Sequence, residues 1–169
     1  LRTTGIARGW ERQLDLELNP EFYRDDFDAA MFHQWLLDRA VSVVAVPSEA
    51  IRPESESEAA IIRSEPDFLR RTWSNAEWTV YEVVDPTPLA DHGARVVDVQ
   101  PESLTIEASH AGWTLVRFRY TDLYQVADET MACLEESPDG WIRMLVREPG
   151  RIRLDIGLSS DALLPSDET

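Results

Sequence analysis

The second half of the chain alternates apolar and polar residues with a period of two, and this constrains the fold more than any other feature. Val97/Val99, Leu104/Ile106/Ala108, Val116/Phe118/Tyr120, Ile142/Met144/Val146 and Ile152/Leu154/Ile156/Leu158 each set apolar side chains on one side of an extended backbone. Segments of this kind bury one face and leave the other to water, as antiparallel strands do. Turn chemistry separates them: Gln100-Pro101-Glu102-Ser103, His110-Ala111-Gly112, Ser137-Pro138-Asp139-Gly140 and Glu148-Pro149-Gly150. Five to seven short strands at this spacing predict an antiparallel β-sandwich lobe over residues 91–160, with a frayed polar tail at 161–169.

The first half reads differently. Phe27, Met31, Trp35 and Leu36 recur at helical spacing after the start signals Asn19-Pro20 and Asp25-Asp26, predicting a helix that runs to about Arg39. Ala40 to Val46 is apolar, largely β-branched and stopped by Pro47, as expected of a strand buried on both faces. Residues 47–53 read as loop. Ser55-Glu56-Ser57-Glu58 has the spacing of a capping box at the head of a helix carrying Ala59 to Ile62. A short helix is expected over Pro66 to Arg71, then a strand over Trp78 to Val84, closed by Asp85-Pro86-Thr87-Pro88. Helices between strands predict a small α/β lobe, βαβ-like, over residues 1–90, its boundary within Asp85 to Gly93. The fold class expected for the whole chain is α+β.

Charge narrows the function. The chain has 16 basic and 32 acidic residues and a net charge of −16, which opposes binding to phosphate backbones or anionic lipid, so no nucleic acid is expected as partner. All 16 basic residues are Arg, which removes Schiff-base and phosphate-loop lysine chemistry. The longest apolar run, Val41 to Val46, is far short of the roughly 18 residues of a membrane span. Cys133 is the single cysteine and stands in the apolar context Met131-Ala132-Cys133-Leu134, the setting of a packed core residue. His33, His92 and His110 have no ligand spacing, so neither metal nor cofactor is expected. The chain starts at Leu1 without an initiating Met or a signal-peptide pattern, as a piece of a longer or processed protein would.

Candidate chemistry is sparse. Asp25, Asp26 and Asp28 form the densest acidic cluster, but carboxylates at a helix start are explained by capping and the helix dipole. Six Trp and four Tyr could supply stacking platforms for sugars, a ring face matching the apolar C–H face of a pyranose. Trp113 and Trp141 each follow a Gly turn and begin a strand; with Tyr120 and Asp139 they are the candidates for glycan contact, against the alternative that the rings only close the core. Near the N-terminus Arg8, Trp10 and Arg12 place an aromatic between two guanidinium groups, suited to bidentate capture of carboxylate or phosphate; local pairing with Glu11 and Asp15 is the alternative. There is no nucleophile elbow, phosphate loop or His-based triad, so no catalytic residue is assigned.

Ala7-Arg8-Gly9-Trp10-Glu11-Arg12-Gln13-Leu14-Asp15, Asn19-Pro20 with Phe22-Tyr23, Trp35-Leu36, Val43 to Pro47 and Glu77 to Val83 are arranged, in order, as in a known type of segment. The chain resembles the C-terminal extracytoplasmic region of large actinobacterial multi-spanning membrane proteins related to polyprenyl-phosphate-sugar-dependent glycosyltransferases. Leu115 to Tyr120, Cys133-Leu134, Asp139-Gly140-Trp141 and Pro149-Gly150 are similar to the β-rich end of the same proteins. The resemblance implies that membrane helices and a catalytic carboxylate lie outside this sequence. It also implies two partners, the membrane-embedded region of the parent protein and a cell-envelope glycan. The resulting expectation is a non-catalytic accessory domain at the extracytoplasmic membrane face. The alternatives are a self-standing carbohydrate-active enzyme using paired carboxylates such as Asp26 and Glu77, or a protein-interaction module.

Overall fold

A computed structural model describes residue 7 and residues 12–48 and 55–157, without the side chains of 12–14. The described residues fall into two compact units that meet in sequence between Thr87 and Pro88.

The N-terminal unit begins with helix α1 (Arg12–Leu18), a single 3₁₀ turn (Pro20–Tyr23) and helix α2 (Ala29–Asp38). Asp28 caps α2 by accepting from the Met31 amide at 2.9 Å, so this member of the acidic cluster is a capping residue. Asp26 instead chelates the Arg24 guanidinium through two 2.8 Å bonds. Strand β1 (Val43–Pro47), helix α3 (Glu56–Arg63) and strands β2 (Leu69–Ser74) and β3 (Trp78–Val83) complete the unit.

The expected strand–helix–strand order is present, with the strands antiparallel: β3 lies between β1 and β2 and pairs with both in that sense. Three expectations are corrected here. β1 is an edge strand whose Val43 is 50% exposed, so only one of its faces is buried; a three-stranded sheet offers no second layer to cover the other. Residues 69–71 are strand, because Leu69 and Arg71 pair with Val83 and Tyr81 and the ladder outweighs local helical preference. Ser55 stands at the head of α3 with no side-chain cap hydrogen bond, so the capping box does not form. Residues 49–53 of the expected loop, and residue 54 after it, lie outside the described residues.

The sheet's inner face supplies Val46, Leu69, Tyr81 and Val83 to a core completed by Phe22, Phe32, Trp35, Leu36 and Ile62. Beside it lies a largely buried polar network. Buried Asp15 accepts from Asn19 Nδ2 at 3.0 Å and Tyr23 Oη at 2.6 Å, while Asn19 Oδ1 accepts from Trp35 Nε1 at 3.0 Å.

The C-terminal unit consists of seven antiparallel strands in two sheets, as the alternation predicts. One holds β4 (Ala94–Gln100), β5 (Ser103–Ala108), β10 (Gly150–Ile156) and β7 (Tyr124–Val126), in that order. The other holds β6 (Gly112–Arg119), β9 (Trp141–Val146) and β8 (Ala132–Glu136). Their inner faces meet in a core of Leu104, Ile106, Val116, Ile142, Met144, Val146, Ile152 and Leu154, all at most 2% exposed. On β4 the alternation is interrupted: Val96 pairs with Ile106 and Asp98 with Thr105, so Val97 is an extra residue and Val96 and Val99 pack on the core. Leu158 and the expected tail at 161–169 lie outside the described residues.

Candidate functional site

The three-stranded sheet of the C-terminal unit has an open outer face, and the ladder decides what stands on it. On β9 the buried residues are Ile142, Met144 and Val146, so Trp141, Arg143 and Leu145 point the other way. Across the ladder Trp113 faces Leu145, Leu115 faces Arg143, and Arg119 faces Trp141. Two residues of β6, Arg117 and Phe118, have no partner on β9. An insertion of two preserves parity, so Phe118 still packs on the core and Arg119 still faces outward beside Trp141.

Both tryptophans carry a guanidinium on one ring face. Arg143 lies 4.1 Å from the Trp113 ring centroid and is held by Glu135 Oε1 at 2.6 Å. Arg119 lies 4.6 Å from the Trp141 centroid and donates from Nη1 to the Asp139 carbonyl at 3.2 Å. Cation–π contact thus fixes two otherwise flexible arginines on a pleated surface. Trp113 is 40% exposed and Trp141 half-buried. Their backbones stand four residues apart along the sheet, roughly 13 Å.

Asp139 stands exposed in the turn before Trp141 at one end of this face, whereas the Tyr120 ring, two residues on from Phe118, packs against the core. The Tyr120 amide donates to the Gly140 carbonyl at 3.0 Å, and the buried Ser137 hydroxyl accepts from the Trp141 amide at 2.9 Å. Burial raises the Tyr120 phenol above its ordinary value, and the carboxylate of Asp122 raises it further, so the hydroxyl is neutral and able to donate at any physiological pH. The fold therefore sets Trp113, Trp141 and Asp139 along one face and turns the fourth glycan candidate, Tyr120, toward the core. Arg119 and Arg143, absent from the sequence reading, complete the site; only the cross-strand register reveals them. The chemistry on offer is two indoles, fixed guanidinium donors and an exposed carboxylate, which suits hydroxyl-rich ligands.

Elsewhere the candidates separate. Arg8, Trp10 and the Arg12 side chain lie outside the described residues. Asp26 is fully exposed and held below the ordinary carboxylate range by its hydrogen bonds to Arg24, the opposite of what a general acid needs. Glu77 lies in the β2–β3 turn, its amide donating to Asn75 Oδ1 at 2.8 Å. Among the described residues no three His, Cys, Asp or Glu side chains converge as a metal site. An open depression of about 290 Å³ is lined by Gly93, Arg95, Glu107, Ala108, Ser109 and Gly150. There Ser109 donates to the Gly93 carbonyl at 2.9 Å and lies 3.0 Å from His110 Nδ1. No helix among the described residues is long and apolar enough to cross a membrane.

Comparison of the chain with protein-family models, with curated proteins and with solved structures found no match.

Proposed function

We propose that this chain is a non-catalytic, extracytoplasmic accessory domain of a membrane glycosyltransferase-like protein, and that it helps to place a glycan acceptor or braces the membrane-embedded part. The observation that carries the glycan reading is the outer face of the β6–β9–β8 sheet. There two guanidinium-capped tryptophans stand on one open surface, with the exposed Asp139 in the turn beside Trp141. An open face admits an extended polymer end-on or lengthwise, whereas small-molecule chemistry calls for a cleft that excludes water. The placement in a membrane protein rests on the sequence resemblance.

Titration with soluble cell-wall oligosaccharides tests the binding. Saturable changes in the amide resonances around Trp141 and Tyr120 are expected, weakened by Trp141→Ala and Arg119→Ala. No change up to high millimolar concentration, in fluorescence or in amide shifts, overturns glycan binding and leaves a purely structural domain. Reading the gene upstream of Leu1 tests the placement. Several spanning segments of about 20 apolar residues are expected, and a start codon immediately before Leu1 overturns it.

A further inference from the structure

A second open face lies on the N-terminal unit. Val46, Leu69, Tyr81 and Val83 of the β1–β3–β2 sheet point into the core, so alternation sends Val43 and Ala45 of β1, and Trp78, Val80 and Glu82 of β3, to the opposite side. On β2 the same alternation would send Trp73 inward with Leu69 and Arg71. It does not, because Thr72 is an extra residue: Arg71 pairs with Tyr81, and Trp73 pairs with Val80. One inserted residue exchanges the faces of a strand. The bulge therefore turns a tryptophan out of the core and onto the open face, where it is 52% exposed beside Trp78 at 44%. The two are diagonal cross-strand neighbours, roughly 7–8 Å apart. Asn75 Oδ1 fixes the hairpin between them by accepting from the Glu77 and Trp78 amides at 2.8 and 2.7 Å.

Size and charge select the occupant. Three strands of about six residues make a face of roughly 14 Å by 18 Å, about 250 Å², well below the roughly 800 Å² that each partner contributes to a stable protein interface. The face is also neutral. Its charged residues, Arg70 and Glu82, pair with each other at 2.8 Å at the end away from the tryptophans, in a chain of net charge −16. Unlike Trp113 and Trp141, neither Trp73 nor Trp78 has a guanidinium over its ring among the described residues. A narrow, uncharged surface bearing two adjacent open indoles matches a ligand that is itself narrow and uncharged, with flat C–H faces repeated along its length.

We propose that this face is a platform for a neutral, unbranched glycan, with pyranose rings of one chain stacked on Trp73 and Trp78. The inference rests on the reading above that the ligand is a glycan, and adds a second site and a charge class. The test follows the six indole N–H resonances of the full chain during titration with maltohexaose, cellohexaose and linear mannohexaose, and with an oligogalacturonate of equal length. Saturable shifts of Trp73 and Trp78 by at least one neutral hexasaccharide are expected. Trp73→Ala or Trp78→Ala should weaken them at least tenfold, and Trp78→Phe less. Both side chains are exposed, so unchanged amide dispersion will show that the variants fold. Shifts confined to Trp113 and Trp141 overturn the platform and leave the glycan reading standing; silence at every indole overturns the platform and the glycan reading together. Equal or tighter binding of the oligogalacturonate overturns the charge class. A concentration-dependent dimer abolished by Trp73→Ala shows a protein interface instead and overturns the platform.

Discussion

Gly140 shows how much of the first site hangs on one residue. Its φ is +77°, and a Cβ built there would lie 2.7 Å from Arg119 Nη1, so only glycine lets the guanidinium lie against the turn and over Trp141. Gly140→Ala is expected to cost about 1 kcal/mol or more in urea unfolding and to move the Trp141 indole resonance by displacing Arg119. An unchanged resonance would show that Arg119 is held by something other than the turn. Titration gives a second prediction at this scale. The Tyr120 and Tyr124 phenols are raised above the ordinary value of 10.0, chiefly by burial. Folding thus favours the protonated phenols. Their contribution to stability is complete below about pH 10 and is lost as pH climbs through the raised values. Ultraviolet titration should show late ionisation from Tyr120 and Tyr124, and Tyr120→Phe should remove one late component. Asp26 and Asp128 have the opposite sign: Arg24 holds one low and the Thr130 hydroxyl and amide the other. What they contribute is present above about pH 4 and lost as pH falls further. Both are fully exposed, so the effect should shrink in salt.

Between elements, the decisive features are insertions and edges. Thr72 and Val97 are each one extra residue, and each changes which side chains its strand buries. Nothing in the local pattern marks them. Trp73 sits two residues after Arg71, in a stretch whose composition suits a helix, so neither its strand nor its face was legible in the sequence. β6 shows a managed edge. The segment before β4 runs beside it: the Arg117 amide donates to the Leu89 carbonyl at 2.7 Å, and the Asp91 amide to the Leu115 carbonyl at 3.2 Å. Asp91 Oδ1 accepts from the Leu115 amide at 2.8 Å, and the buried Thr114 hydroxyl donates to the Asp91 carbonyl at 2.7 Å. Such a strap satisfies strand donors that would otherwise invite pairing with another chain. Asp91→Ala should cost about 1–3 kcal/mol by stranding the Leu115 amide and should raise light scattering on heating. Stability lost without added association would mean that the strap closes the ladder but guards no sticky edge.

At the scale of the molecule, charge and core pull apart. Among the described residues most arginines are paired with carboxylates on the surface, yet 32 acids against 16 arginines leave a self-repelling chain. Surface pairs contribute little each, so screening the net repulsion should outweigh screening the pairs. Raising salt from 0.01 to 0.15 M, which shortens the Debye length from about 30 Å to about 8 Å, is expected to raise the melting temperature. A fall would show that the pairs act as a network. Legible from the chain alone were the α+β class, the antiparallel sandwich, helix α2 with its capping Asp28, and the net negative charge. These follow from periodicity, turn residues and charge, which are local or summed properties of a chain. Tertiary structure alone decided that Arg119 and Arg143 cover Trp141 and Trp113, that β1 is an edge, and that Trp73 and Trp78 share an open face. Each of these depends on register across a ladder, and a single inserted residue shifts register without altering composition or period enough to be read.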